Sequence, residues 1–157
     1  SLISFTPKLD IQSQASEVQV LGWDILRAEG FRGGVKAGDV EQKIGGRKDW
    51  TKASRGDDGK WVDYHYMDGI AGSAEAKDMA HALMREKSFK LLRAEGSGED
   101  NQKLSAGMPV TVKNVGTAFS GEYIAEQVHH RFSLEEGYTT DFILKRNMLN
   151  MKITMTI

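Results

Sequence analysis

From Phe89 to Arg146 the chain reads as a series of short strands cut apart by turn residues, and no other feature restricts its fold as much. Phe89 to Ala94 is the first, stopped by Gly96-Ser97-Gly98 and the polar Glu99-Asp100-Asn101. Pro109 to Val115 follows, with Val110 and Val112 on one face and Thr111 and Lys113 on the other. Gly121 separates it from the longest strand, Glu122 to Phe132, in which Ile124, Val128 and Phe132 are assigned to one face. After the turn Glu135-Glu136-Gly137, residues Tyr138, Thr140, Phe142 and Leu144 alternate with Thr139, Asp141 and Lys145 up to Arg146. Strands that follow one another through short turns pair antiparallel. The expected core is Val110, Val112, Ile124, Val128, Phe132, Phe142 and Leu144.

Upstream, Leu2-Ile3-Ser4-Phe5 is strand-like from the start, and Glu17 to Trp23 places Val18 and Val20 at period two. Trp61 to Tyr66 is aromatic-rich and favours a strand. One helix is expected over residues 73–88, with Ser73 as N-cap, Glu75 and Asp78 near its positive end and Lys87 near its negative end. Ala76, Met79, Ala80 and Leu83 form its apolar stripe. The fold class is therefore mainly β with one packed helix (α+β), a small antiparallel barrel or strongly curled sheet closed over that helix. Residues 1–27 and 60–146 are assigned to this body. Residues 28–59, rich in glycine and poor in periodicity, read as an excursion that leaves and returns, with room for short strands. Residues 147–157 form a Met-rich tail or an extra strand.

With 157 residues, 39% apolar and 27% charged, the chain suits one domain with a real core. Net charge is −1, which gives no basis for gripping nucleic acid through many phosphates. No stretch reaches the roughly 18 apolar residues that span a bilayer, and no basic-then-apolar start reads as a signal peptide. The absence of cysteine excludes thiolate catalysis, disulfides and thiolate zinc sites. The chain opens at Ser1 without Met, as an excerpt of a longer protein would.

Candidate chemistry is thin. His129 and His130 are adjacent on a strand, so they point to opposite faces and cannot chelate one ion together. His65 and His81 stand apart from them, and no H-x-x-x-H spacing occurs. Glu122, Glu126, Glu135, Glu136 and Asp141 are available for paired-carboxylate hydrolysis, but acids on strand exteriors and turns are usually solvated. Neither a G-x-S-x-G elbow nor a phosphate loop is present. Arg55-Gly56-Asp57 spells an adhesion tripeptide too short to be specific, and tyrosines 64, 66, 123 and 138 are more often packing groups than a sugar platform. The expectation is no enzyme activity, no catalytic or metal-binding residue and no cofactor. The alternative is a carbohydrate-active or host-surface-binding domain.

The run Gly107-Met108-Pro109-Val110-Thr111-Val112, then Gly116-Thr117-Ala118-Phe119-Ser120-Gly121-Glu122-Tyr123, then Val128-His129-His130-Arg131-Phe132-Ser133 and Gly137-Tyr138-Thr139-Thr140-Asp141-Phe142, resembles the phage late control D and VgrG family of baseplate hub proteins. Ser73-Ala74-Glu75-Ala76 is similar to the helix before that block, and Val18 to Asp24 to the strand that opens it. The likeness covers Ser73 to Arg146 and the opening strand, while residues 28–60 depart from it. It implies a tail-tube-like β-barrel in a homotrimeric hub, adapting the tail tube protein above to the spike protein below. It also implies a place in a virion tail or injection-particle baseplate assembled in the bacterial cytoplasm, with no membrane insertion and no specific nucleic-acid binding. Thr111, Lys113, Gln127, His129, Arg131, Thr139 and Lys145, opposite the expected core, are then candidates for the lumen or for subunit contacts.

Overall fold

The computed structural model describes residues 1–45, 61–99, 101–135 and 137–149. Along the chain run strands β1 (Leu2–Leu9), β2 (Glu17–Asp24), β3 (Glu29–Lys36) and β4 (Val62–Tyr66), helix α1 (Ser73–Phe89), then β5 (Leu92–Glu99), β6 (Pro109–Val112), β7 (Gly121–Ser133) and β8 (Gly137–Arg146). The chain is mostly antiparallel β with one helix. Contacts divide the described residues into two compact units, 1–11 with 43–45 and 89–149, and 12–42 with 61–88.

The first unit is a five-stranded antiparallel sheet in the order β1-β5-β8-β7-β6. Its centre follows the alternation of β8: Thr140, Phe142, Leu144 and Arg146 are buried, and the residues between them are half-buried. The sheet is curled. Neighbouring strands lie about 4.8 Å apart, so β1 and β7, three steps removed, would be about 14 Å apart in a flat sheet. Instead the rings of Phe5 and Tyr123 meet edge to face with centroids 6.0 Å apart. Gly96-Ser97-Gly98, expected to stop a strand, lie inside β5. A Cβ on Gly96 would stand 2.5 Å from the Ser4 carbonyl oxygen and 2.7 Å from the Phe142 ring, so the bare backbone is what admits both neighbours.

The core of β7 differs from the expected one. Tyr123 and Ala125 are buried, Ile124 and Val128 half-buried, and Phe132 is 73% exposed. The register with β8 shifts between Ala125 and Gln127, so a bulge falls in mid-strand. A bulge inserts one residue and reverses the facing of everything beyond it. Ile124 thus belongs to the opposite face from Val128, and the single period-two reading of 122–132 fails there. Val110 is half-buried, while Val112, Phe142 and Leu144 are buried as expected.

The second unit is a three-stranded sheet in the order β3-β2-β4 with α1 packed on it. β2 and β3 form an antiparallel hairpin, whereas β2 and β4 are parallel. β3 and a 3₁₀ turn, Ala37–Asp39, occupy the described part of the glycine-rich stretch; its residues 46–60, including Arg55-Gly56-Asp57, lie outside the described residues. So do residues 150–157 of the tail.

Helix α1 buries Ala76, Ala80 and Met84 against Val18, Val20, Val35 and Val40, with Leu83 partly buried. Met79, expected in the stripe, is 38% exposed. Small side chains at positions 76 and 80 let the helix come close. A Cβ on Gly33 would lie 2.2 Å from the Lys77 backbone nitrogen, so the helix backbone rests directly on that glycine. The N-cap also shifts by one residue. Ala76 N donates to the Gly72 carbonyl at 3.0 Å, which makes Gly72 the cap, and the Glu75 carboxylate accepts from Ala71 N at 2.7 Å.

Candidate assembly face

Opposed residues in an antiparallel ladder share a face, so the register divides the five-stranded sheet into two surfaces. Gln127 stands opposite Ile143, His129 opposite Asp141, Arg131 opposite Thr139, and Lys145 opposite Ile124. Thr111 stands opposite Glu122, which lies on the Ile124 side. Thr111, Gln127, His129, Arg131, Thr139 and Lys145 therefore share one face of the sheet, continued across β5 and β1 by Arg93, Glu95, Ser97, Ser4 and Lys8. Lys113 lies beyond the end of β6 and is exposed.

Ion pairs organise this face. Arg131 meets Asp141 at 2.9 Å, Lys8 meets Glu95 at 2.8 Å, and Glu126 lies between Arg93 at 2.7 Å and Lys145 at 3.4 Å. Ser4 and Ser97 share a hydroxyl hydrogen bond of 2.8 Å. An open depression of about 430 Å³ runs over Ser4, Ser97, Gln127, His129 and Asp141. Exposed pairs of this kind add little to stability, but they leave a polar surface whose charges are mutually neutralised. Glu126 and Asp141, candidates for paired-carboxylate chemistry, are both held by cations.

Behind this face lies a group that the sequence reading did not single out. Arg146 is fully buried, with its guanidinium carbon 4.6 Å from the centre of the Tyr123 ring. Nη1 donates to the Ser120 carbonyl at 3.2 Å and Nη2 to the Ala118 carbonyl, while Nε has no hydrogen-bond partner among the described residues. Burial pushes the Arg146 pKa down, opposed by the neighbouring Tyr123, yet arginine stays charged in proteins. Burial likewise raises the Tyr123 pKa, so the phenol stays protonated and donates to the Phe119 carbonyl at 2.6 Å. The cation and the phenol thus tie three carbonyls of the β6–β7 connection to the sheet. A sequence signal existed: Arg146 continues the inward alternation Thr140, Phe142, Leu144.

The histidines separate as the strand geometry requires. His129 is on the polar face, whereas His130 contacts the Thr140 hydroxyl at 3.2 Å, the Tyr138 hydroxyl at 2.7 Å and the Leu104 carbonyl at 2.9 Å. Among the described residues no group of three His, Cys, Asp or Glu side chains is placed to hold a metal ion, and no helix is long and apolar enough to cross a membrane.

Neither a family model nor a curated protein matches this sequence. Solved structures that share its fold include two tail proteins. The tail protein from Neisseria meningitidis MC58 is similar over 93% of this chain and 40% of its own, with a TM-score of 0.60 and 12% identity. The 43 kDa tail protein of prophage MuSo2 from Shewanella oneidensis is similar over 93% of this chain and 42% of its own, with a TM-score of 0.64 and 9% identity. At such identities the likeness is one of fold. The chain spans about two fifths of the length of each neighbour.

Proposed function

We propose that this chain is a structural domain of a phage-type tail, and within such a tail a part of the baseplate hub that adapts the tube to the spike. The observation that carries the reading is a likeness of fold to two tail proteins across nearly the whole chain, found independently of the turn-and-strand series that resembles late control D and VgrG hubs. The self-neutralised polar face supports it: a surface that lines a lumen or meets a neighbouring subunit should neither hold cargo by net charge nor expose a reactive cleft. On this reading residues 1–27 and 60–146 supply one tube-like barrel per copy, 28–59 are its excursion, and 147–157 close it or add a strand. Three copies form the ring, and tube and spike proteins are the partners. Thr111, Gln127, His129, Arg131, Thr139 and Lys145 are the lumen or contact side chains, with Lys113 at their border. The work of the domain is assembly, without turnover or cofactor, in the tail of a virion or injection particle.

The test is the mass and shape of the full parent protein, by light scattering and electron microscopy, alone and with its tube and spike proteins. A threefold ring that caps the tube is the expected result. A parent protein that instead releases soluble fragments from peptidoglycan, and stops doing so on Glu122→Gln, overturns the structural reading.

A further inference from the structure

Among the described residues, the surface cations differ in whether a carboxylate meets them. Lys8, Arg93, Arg131 and Lys145 are paired with carboxylates on the polar face, and Lys87 is paired with Asp63. Arg32, Lys36 and Lys77 have no ion pair among the described residues, yet they line one open cleft of about 840 Å³ on the unit that contains α1. His81 and Tyr64 complete the part of the wall that matters here.

The cleft reaches across the sheet, from Tyr64 of β4 past Glu17 and Gln19 of β2 to the outermost strand, β3. β3 ends its sheet, so on one side its backbone is paired with no other described strand. Arg32, Gly34 and Lys36 alternate onto one face of β3, because successive side chains of a strand point oppositely. Between the two cations the strand is bare: a Cβ on Gly34 would collide with the Gln19 amide, and one on Gly33 with the backbone of α1. This edge offers backbone hydrogen-bonding groups, two cations four residues apart, and Lys77 and His81 from the helix.

We propose that the edge of β3 takes an extended acidic segment of a partner protein by strand addition, its carboxylates meeting Arg32, Lys36 and Lys77. Strand addition draws affinity from main-chain hydrogen bonds and specificity from alternate side chains. Two acidic residues four apart in the incoming strand repeat the spacing of Arg32 and Lys36, about 13 Å in an extended chain. Glu17 and Asp39 line the same cleft, which disfavours a continuous row of phosphates, as does the net charge of −1. The inference stands on these residues and does not require the hub assignment. Its rival is that the cations only keep the edge from pairing, a common use of charge on edge strands.

The experiment titrates the full chain at low salt with a fluorescein-labelled peptide, Thr-Glu-Val-Thr-Val-Glu-Thr. The same sequence with Gln for Glu, and a labelled oligothymidylate, are the comparisons, and fluorescence anisotropy is the readout. The acidic peptide should bind saturably, and the Gln peptide about tenfold more weakly, because charge-assisted contacts are lost. The triple variant Arg32→Glu, Lys36→Glu, Lys77→Glu should lose binding while keeping the parent melting temperature. If that variant does not fold, Lys77→Gln, on the helix surface, should still weaken the acidic peptide about threefold, as expected for one partly screened charge. No saturable binding of the acidic peptide overturns the proposal in favour of the guarded edge. Equal affinity for the Gln peptide, or tighter binding of the oligothymidylate, overturns it as well.

Discussion

The two units bring their layers together by opposite means. In the unit of α1, closeness comes from what is missing: Gly33 has no side chain beneath the helix, and Ala76 and Ala80 keep the facing stripe thin. In the five-stranded unit, the centre is filled by two of the largest side chains available, the buried Arg146 stacked on the buried Tyr123. Apolar helix-on-sheet packing needs only shape, and a small residue meets that need without any polar group to satisfy. A buried cation needs partners as well, and here two loop carbonyls and an aromatic face provide them. The unit of α1 therefore tolerates no added volume at Gly33, whereas the five-stranded unit tolerates no loss of volume or polarity at Tyr123. Both constraints are local, and they carry opposite signs.

The sharpest way to break this contrast is Tyr123→Ala, which removes a fully buried ring and strips Arg146 of its π face. The expected loss is about 3–5 kcal/mol, the range for deleting a buried aromatic side chain. Tyr123→Phe retains the ring beneath the guanidinium and gives up only the hydrogen bond to Phe119, a loss of about 1 kcal/mol. Urea denaturation of both variants checks this, and hydrogen exchange should show β7 and β8 losing protection in the alanine variant. Equal losses for the two would mean that the hydroxyl, and not the stacked ring, holds the site.

Adding volume at the other unit should cost less. Gly33→Ala places a methyl within 2.2 Å of the Lys77 nitrogen, so the helix must move off the sheet. Overpacking of this kind is expected to destabilise by about 1–3 kcal/mol, read again from urea midpoints. A neutral or stabilising Gly33→Ala would show that the helix is not seated on β3 as described.

The smallest effect concerns how α1 is fastened at its C-terminal end. Lys87 meets Asp63 at 2.7 Å and donates to the Ser13 carbonyl at 3.1 Å, and His65 lies 3.0 Å from the same Asp63 oxygen. Burial alone would raise the Asp63 pKa, but the hydrogen bonds from Lys87 and His65 more than offset it and leave the carboxyl below its ordinary 3.8. A carboxyl that is more acidic when folded contributes stability in full above its unfolded pKa and loses it as pH falls through the folded value. Stability should therefore decline on acidification below about pH 4. Asp63→Asn should flatten that decline and lower stability by about 1 kcal/mol at neutral pH, the scale of a partly exposed pair. Melting temperatures from pH 2 to 7 distinguish the two chains, and an unchanged acid slope in Asp63→Asn would remove Asp63 from the account.

Much of this architecture was legible in local pattern. The inward row of β8, the valines of β2, the aromatic β4 and the position of α1 all follow from side-chain periodicity over a handful of residues, because burial on one face requires that period. The alternation of Gln127, His129 and Arg131 along β7 and of Thr139 and Lys145 along β8 was likewise legible, but only the bulge puts Thr111 on the same face as the three β7 residues. Chain-distant neighbours decided the rest. The bulge between Ala125 and Gln127 set Ile124 and Val128 on opposite faces, and no short-range signal marks where a strand must take an extra residue to follow the curl of its sheet. Gly96-Ser97-Gly98 read as punctuation but continue a strand, because the ring of Phe142, 46 positions away, occupies the space above Gly96. Arg146 read as the polar end of a strand and is fully buried, because the carbonyls that solvate it belong to another connection. Local periodicity was enough for the inward row of β8, the valines of β2 and the buried stripe of α1, since each is settled by neighbours one to four positions apart. Only the tertiary structure decided which glycines bear contacts and where a buried charge could be satisfied, since those depend on atoms that folding alone brings together.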